Sequence, residues 1–180
     1  MKRLQRSGVV VLLLVLGAAL SGARDAGPAA PTTPPAVSGA QEVTVVGVFS
    51  DPQGQHGVML EGKRDKRRVL MVIGVAEATA IAVPLEHVTP PRPLTHDLFL
   101  TLFGRLKVQL SKVVITDLRN NTYYATLHLT VDGAPMELDS RPSDAIALAI
   151  RARAPVYAED RVFEKADRLP GSPAGPGERI

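Results

Sequence analysis

The chain has 180 residues with 21 Lys+Arg against 18 Asp+Glu, enough for one domain and some sequence beyond it. It contains no cysteine, no tryptophan, three tyrosines and four phenylalanines; this excludes disulfides, thiolate metal sites and a lipidated cysteine, and leaves little on which nucleic-acid bases could stack. The cationic excess is carried by Lys2, Arg3 and Arg6, so the pI of 9.4 describes a precursor, and a globally basic protein binding through many phosphate contacts is excluded for the rest of the chain.

Those three cations precede an apolar run from Val9 to Leu20 and the small residues Ser21 and Ala23, which is the pattern of a secretory signal peptide over residues 1–23. The run is shorter than the ~20 residues a spanning helix needs. The expectation is therefore export to the periplasm or the extracellular space, with no stable membrane insertion after cleavage; an uncleaved N-terminal anchor is the lesser alternative. Residues 24–41 hold Pro28, Pro31, Pro34 and Pro35 among small residues and read as a linker. Residues 169–180, with three Pro and three Gly, read as a disordered tail. Between them, residues 42–168 form one domain.

Within the domain, Val43 to Phe49 is β-rich and turns at Asp51-Pro52-Gln53-Gly54. Strands at Gly57 to Leu60 and Arg68 to Ile73 flank a basic tip of Lys63, Arg64, Lys66, Arg67 and Arg68. This tip is the one electrostatic candidate for a nucleic-acid backbone. Ala76 to Val83 reads as a helix ended by Pro84, and a second helix capped by Thr95 runs through Leu98, Leu102, Phe103 and Leu106. Two-residue turns at Asn120-Asn121 and Asp132-Gly133 pair Asp117 with Tyr124, His128 with Glu137 and Thr126 with Asp139. Alternation then places Val114, Leu118, Ala125, Leu127, Leu129, Met136 and Leu138 on an apolar face. Asp117, Tyr124, Thr126, His128, Glu137 and Asp139 fall on the other, as a solvated face or as a cation-binding one. A helix from Pro142 to Arg151, a short Pro155-Val156-Tyr157 segment and a helix near Glu159 to Lys165 complete the chain. Strands and helices do not alternate one for one, so the class is α+β: a single compact domain with a largely antiparallel sheet and packed helices.

Two places carry chemistry. At Asp139-Ser140-Arg141-Pro142-Ser143-Asp144 a strand enters a helix, where free N–H groups attract anions and Arg141 offers a forked guanidinium for phosphate. The same residues also read structurally, with Ser140 or Ser143 as cap and Arg141 neutralising Asp139. His96 beside Asp97 could act as a base or ligand, although neighbours on a helix diverge by about 100°. His56 and His87 receive no role. No Walker loop, nucleophile elbow, zincin motif or dinucleotide fingerprint occurs.

Glu77-Ala78-Thr79-Ala80-Ile81-Ala82, Pro91-Arg92-Pro93-Leu94-Thr95-His96-Asp97-Leu98 and Asp139-Ser140-Arg141-Pro142-Ser143-Asp144-Ala145-Ile146-Ala147-Leu148-Ala149, with Val114 to Leu118 and Tyr123 to Ala125 between them, resemble the bifunctional nuclease domain family. The resemblance spans Val43 to Phe163. It implies a compact α+β domain that cleaves both DNA and RNA and assembles as a homo-oligomer. Phosphodiester hydrolysis needs an activated water and charge stabilisation, with a divalent metal such as Mg²⁺ or Mn²⁺ in many cases. The motif-matched residues are assigned accordingly: Asp139 and Asp144 as metal ligands, Arg141 as phosphate clamp and His96 as general base or acid. Asp117, a further metal candidate, and His128 are second choices. The leader and the proline-rich linker depart from the family's typical cytoplasmic member, and the alternative reading is an exported, non-catalytic binding or assembly module.

Overall fold

The computed structural model describes residues 39–168; the leader, all but the end of the linker and the tail expected from the sequence lie outside them. Seven strands form one sheet: β1 (Ala40–Ser50), β2 (His56–Gly62), β3 (Arg68–Ile73), β4 (Val108–Arg119), β5 (Thr122–Val131), β6 (Ala134–Ser140) and β7 (Val156–Glu159), in the order β3-β2-β1-β7-β4-β5-β6. Every pairing is antiparallel except β4 with β7. The sheet thus consists of two antiparallel meanders joined through the four-residue β7. The first strand begins inside the stretch read as linker: Ala40 and Gln41 pair with Glu159 and Ala158, and Gln41 is buried where its amide bonds Asp65 and the Arg64 N–H.

Both hairpins have the expected register, Asp117 opposite Tyr124 and His128 opposite Glu137. Asn120, Asn121, Asp132 and Gly133 all take positive φ, which two-residue turns require and these residues tolerate. The faces depart from simple alternation at two points in β4, between Leu110 and Lys112 and between Ile115 and Asp117. A bulge between Ile115 and Asp117 places Val113 and Ile115 opposite Leu127 and Ala125 on the core face, and sets Val114 opposite Thr126 on the other. Val114 is nevertheless buried.

Four helices pack on this sheet: α1 (Val75–Leu85), α2 (Thr95–Arg105), α3 (Pro142–Ala152) and α4 (Asp160–Ala166). The alanine-rich α3 is the central one, buried along Ala145 to Ala149, and touches α1, α2, β4 and β5. α4 packs against β4, β7 and β3, with Val162, Phe163 and Ala166 buried. α1 does not stop before Pro84, which sits in its last turn. Proline lacks the N–H that would bond the carbonyl four residues back, and the Arg151 guanidinium supplies that donor to Ala80 O at 2.6 Å. The local rule for proline is overridden here by a side chain from another helix.

Candidate functional site

The first turns of α1, α2 and α3 face one another across a cleft of about 600 Å³, lined by residues that include Glu77, Thr79, His96, Leu98, Arg141 and Asp144. Arg141 is the N-cap residue of α3, extended at φ −68°, ψ 140°, so its side chain leaves the helix entrance toward α1. Its Nε donates to Asp144 Oδ2 at 2.7 Å and its Nη1 meets Glu77 Oε1 at 2.9 Å. One turn into α3, Asp144 also holds His96 of α2, with Oδ1 3.2 Å from Nε2. Three helices therefore contribute to one chain of contacts, Glu77 to Arg141 to Asp144 to His96.

This chain of contacts sets the electrostatics of the cleft. Burial works against the charge of Asp144, but hydrogen bonds from Arg141 and His96 outweigh it and hold the carboxyl below the ordinary carboxylate range. Arg141, 65% exposed, is in turn pushed above the usual arginine value by Asp144 first and Glu77 after it. Nε and Nη1 are engaged by carboxylates, and the donors of Nη2 have no partner among the described residues. His96 is largely buried and held at Nε2, and its Nδ1 carries no hydrogen bond among the described residues.

Beneath the cleft, Arg151 fastens the three helices together. Two turns along α3 from Asp144, its guanidinium is 7% exposed; Nε donates to Asp97 Oδ1 at 2.6 Å, and Nη1 reaches Ala80 O and Ala147 O. Asp97 uses its other oxygen to accept from the Leu94 N–H at 2.7 Å. The N-cap of α2 is thus Leu94 rather than Thr95, and the cap is closed by Asp97 from inside the helix. The divergence of neighbouring side chains is what puts this arrangement to use: His96 meets Asp144 while Asp97 meets Arg151, anchoring α2 at two points on α3.

His96, Arg141 and Asp144, expected from the sequence, are brought together. Asp139 is not: it is exposed on β6 opposite Thr126 and makes no side-chain hydrogen bond or ion pair among the described residues. Arg141 does not neutralise it, and neither Ser140 nor Ser143 caps α3; Ser140 donates to Arg141 O instead. Asp117 lies elsewhere, buried and held by Lys165 Nζ, Arg119 Nε and the Leu118 N–H. Lys165 first, and then the other two donors, take its carboxyl down to about 2 against the opposing effect of burial. His128 pairs with Glu137 on the exposed hairpin. Asp117, Asp139 and Asp144 are thus set apart from one another, and among the described residues no three His, Asp or Glu side chains gather to hold an ion.

The basic tip makes ion pairs within the chain. Lys63 pairs with Glu42, Arg64 with Asp160, Lys66 and Arg68 with Glu61, and Arg67 with Asp65 and Asp160 while lying over the Phe163 ring. Its charge is spent on pinning the β2–β3 hairpin to β1 and α4. Glu77 and Arg151 are the residues that sequence reasoning missed. Glu77 opens the Glu77 to Ala82 motif that carries part of the family resemblance, and Arg151 stands seven residues after Asp144, on the same side of a helix.

A sequence profile of the bifunctional nuclease domain matches residues 58–169. An uncharacterised protein of Mycobacterium tuberculosis is 40% identical over 129 residues, covering 71% of this chain and 77% of the relative. Bifunctional nuclease 1 of Oryza sativa subsp. japonica is 29% identical over 117 residues, 62% of this chain and 35% of the plant protein, so the match takes in about a third of that relative. A bifunctional nuclease of Oryza minuta matches to the same extent.

Proposed function

The chain belongs to the bifunctional nuclease domain family, and on that premise we propose that it hydrolyses phosphodiester bonds of DNA and RNA in the cleft between α1, α2 and α3. The observation that supports this reading best is the convergence of His96, Arg141, Asp144 and Glu77 from three helices on one cleft. Arg141 has two of its nitrogens fixed by carboxylates, which orients the remaining donors toward a phosphoryl oxygen. His96, held at Nε2 by Asp144, presents Nδ1 as the base that takes a proton from the attacking water or as the acid that returns one to the leaving oxygen. Asp144 orients the imidazole and stabilises its protonated form, the role a carboxylate plays beside a catalytic histidine. Glu77 holds Arg141 from the opposite side.

Among the described residues no three His, Asp or Glu side chains build a metal cage. Mg²⁺ and Mn²⁺ belong in the assay because such ions bind through one or two carboxylates plus the substrate's phosphate, and Glu77 and Asp144 are the carboxylates they would meet. The test is cleavage of labelled DNA and RNA oligonucleotides with Mg²⁺, with Mn²⁺ and with chelator, using His96→Gln and Asp144→Asn as loss-of-function variants and Asp139→Ala as a control that keeps activity. A wild-type protein inactive under all three conditions overturns the proposal.

The neutralised tip favours a second reading in which the exported domain is a binding or assembly module. Retained nucleic-acid binding without cleavage would select it. Export by the leader is part of both readings; an intact mass beginning at Arg24 in the exported fraction is the expected result.

A further inference from the structure

A second pocket, of about 270 Å³, shares Glu77 and Arg141 with the cleft and lies between the entrances of α1 and α3, the end of β3 and the β4–β5 turn. One wall is apolar, built from Met71, Val72 and Ile73. β3 is the outermost strand on its side of the sheet, so among the described residues its outer backbone N–H and C=O groups have no strand to pair with. The polar wall holds Asn121, Tyr123 and Ser143. Ser143 is 7% exposed, and its hydroxyl makes no hydrogen bond among the described residues. Tyr123 Oη is wholly buried and likewise has no partner there. The N–H groups of Ser143 and Asp144 meet no carbonyl either, since the first bond of α3 runs from Ala145 N to Arg141 O. Buried hydroxyls are paired as a rule, so two without protein partners on one wall mark a place where a ligand's polar atoms complete the set.

We propose that this pocket receives the base and sugar of an unpaired nucleotide whose phosphate lies against Arg141, so that the substrate is single-stranded DNA or RNA. The inference rests on the nuclease reading for the place of the phosphate and extends it to the form of the substrate. Size is the first argument: the pocket stands near the lower end of the roughly 300–1,000 Å³ of small-molecule sites, which leaves room for one nucleoside and none for a paired and stacked duplex. The second is the lining. An apolar wall suits the face of a base, and the Asn121 amide, the two hydroxyls and the free edge of β3 offer donors and acceptors to its rim, which is how unpaired bases are read. Burial pushes the Tyr123 hydroxyl up to about 12, so it stays protonated and can donate as well as accept. The third is charge. Arg141 Nη2 has donors without a protein partner, and the α3 entrance adds its free N–H groups; Glu77, the one carboxylate on the lining, is tied to Arg141.

Because Arg141 lines both cavities, a base held in this pocket sets the neighbouring phosphate at the mouth of the cleft that contains His96. A base in a duplex would first have to be flipped out of its stack. Enclosure also fits the composition: a chain without tryptophan and with few other aromatic residues offers no stacking platform, and a pocket holds a base without one.

The experiment titrates the protein as recovered from cells with adenosine 5′-monophosphate, adenosine and inorganic phosphate by calorimetry, none of these probes having a phosphodiester to cleave. The nucleotide is expected to bind at least about tenfold more tightly than either part. Tyr123→Phe is expected to weaken the nucleotide and adenosine about tenfold, to leave inorganic phosphate unchanged and not to lower the melting temperature, because the hydroxyl has no partner in its own chain. Asn121→Gly, which keeps the left-handed turn, should act in the same direction. A photoreactive azido derivative of the nucleotide, which needs no variant to fold, is expected to label the wild type at residues 71–73 or 121–123. In chelator, a single-stranded oligonucleotide should displace the nucleotide and a relaxed, covalently closed duplex circle should not. A nucleotide no tighter than inorganic phosphate, unchanged affinity in Tyr123→Phe, label confined to other segments, or a duplex circle that competes as well as the single strand overturns the proposal. Nucleotide binding at these residues without cleavage of any oligonucleotide supports the pocket and overturns the nuclease reading; cleavage without nucleotide binding does the reverse.

Discussion

Arg141 is the residue on which structure and chemistry separate most cleanly. It is 65% exposed, and exposed ion pairs contribute about 0–1 kcal/mol, so the fold does not need it. Arg141→Lys keeps the charge but loses the fork that spans Glu77 and Asp144. Turnover is expected to fall about 100-fold with the thermal midpoint almost unmoved, as paired cleavage and melting measurements would show. Asp117 is the opposite case, buried and held by three donors. Its carboxyl titrates at about 2 in the fold, below the value near 4 of an unfolded chain. Its contribution is therefore complete above pH 4 and is lost as pH falls toward 2. Asp117→Asn is expected to cost about 2 kcal/mol at neutral pH and to flatten the acid limb of stability between pH 4 and 2, measured by denaturant unfolding at each pH. The positions of His96, Arg141 and Asp144 at helix entrances were legible because each stands in a local pattern of helix-start residues. Asp139 misled because adjacency in sequence to Arg141 suggested a pair, whereas β6 points its side chain away from the helix entrance that Arg141 caps.

Among the elements, the junction of α1, α2 and α3 depends on one exchange of hydrogen bonds. Pro84 withholds the donor for Ala80 O, and Arg151 provides it while also holding Asp97. Arg151→Met leaves a carbonyl and a carboxylate without their partner, and a loss of about 3 kcal/mol is expected. Activity should fall as well, since α2 loses one of its two anchors on α3 and His96 loses its position. In a Pro84→Ala background the restored backbone N–H can serve Ala80 O, so the same Arg151→Met change should cost about 1 kcal/mol less; a double-mutant cycle measures that difference directly. Strict additivity would show the two residues to be uncoupled. The elements themselves were readable from turn chemistry and periodicity, as Asn120-Asn121 and Asp132-Gly133 show. Val114 was misplaced because a bulge changes the alternation by one residue and leaves no mark in a run of β-branched side chains. Pro84 was misread because its remedy lies far downstream in the chain, at Arg151.

For the molecule as a whole, charge is arranged in compensating groups. The five cations of the β2–β3 tip answer Glu42, Glu61, Asp65 and Asp160. Replacing all five with serine is therefore expected to leave the salt dependence of nucleic-acid binding unchanged, because few counterions are released there, and to lower the melting temperature by freeing four carboxylates. A flattened salt slope would restore the tip as the contact. The balance of charge beyond Arg6 was visible in the composition; the pairing behind it was not, because it joins residues that the chain brings together only through β1 and α4. The sheet has a comparable long-range dependence. Its two halves meet only at β7, and residues 156–159 leave the ribosome after every other strand among the described residues, so the sheet cannot close until that strand is made. Until then each half presents an unpaired edge, β1 on one and β4 on the other, to any extended chain that comes near.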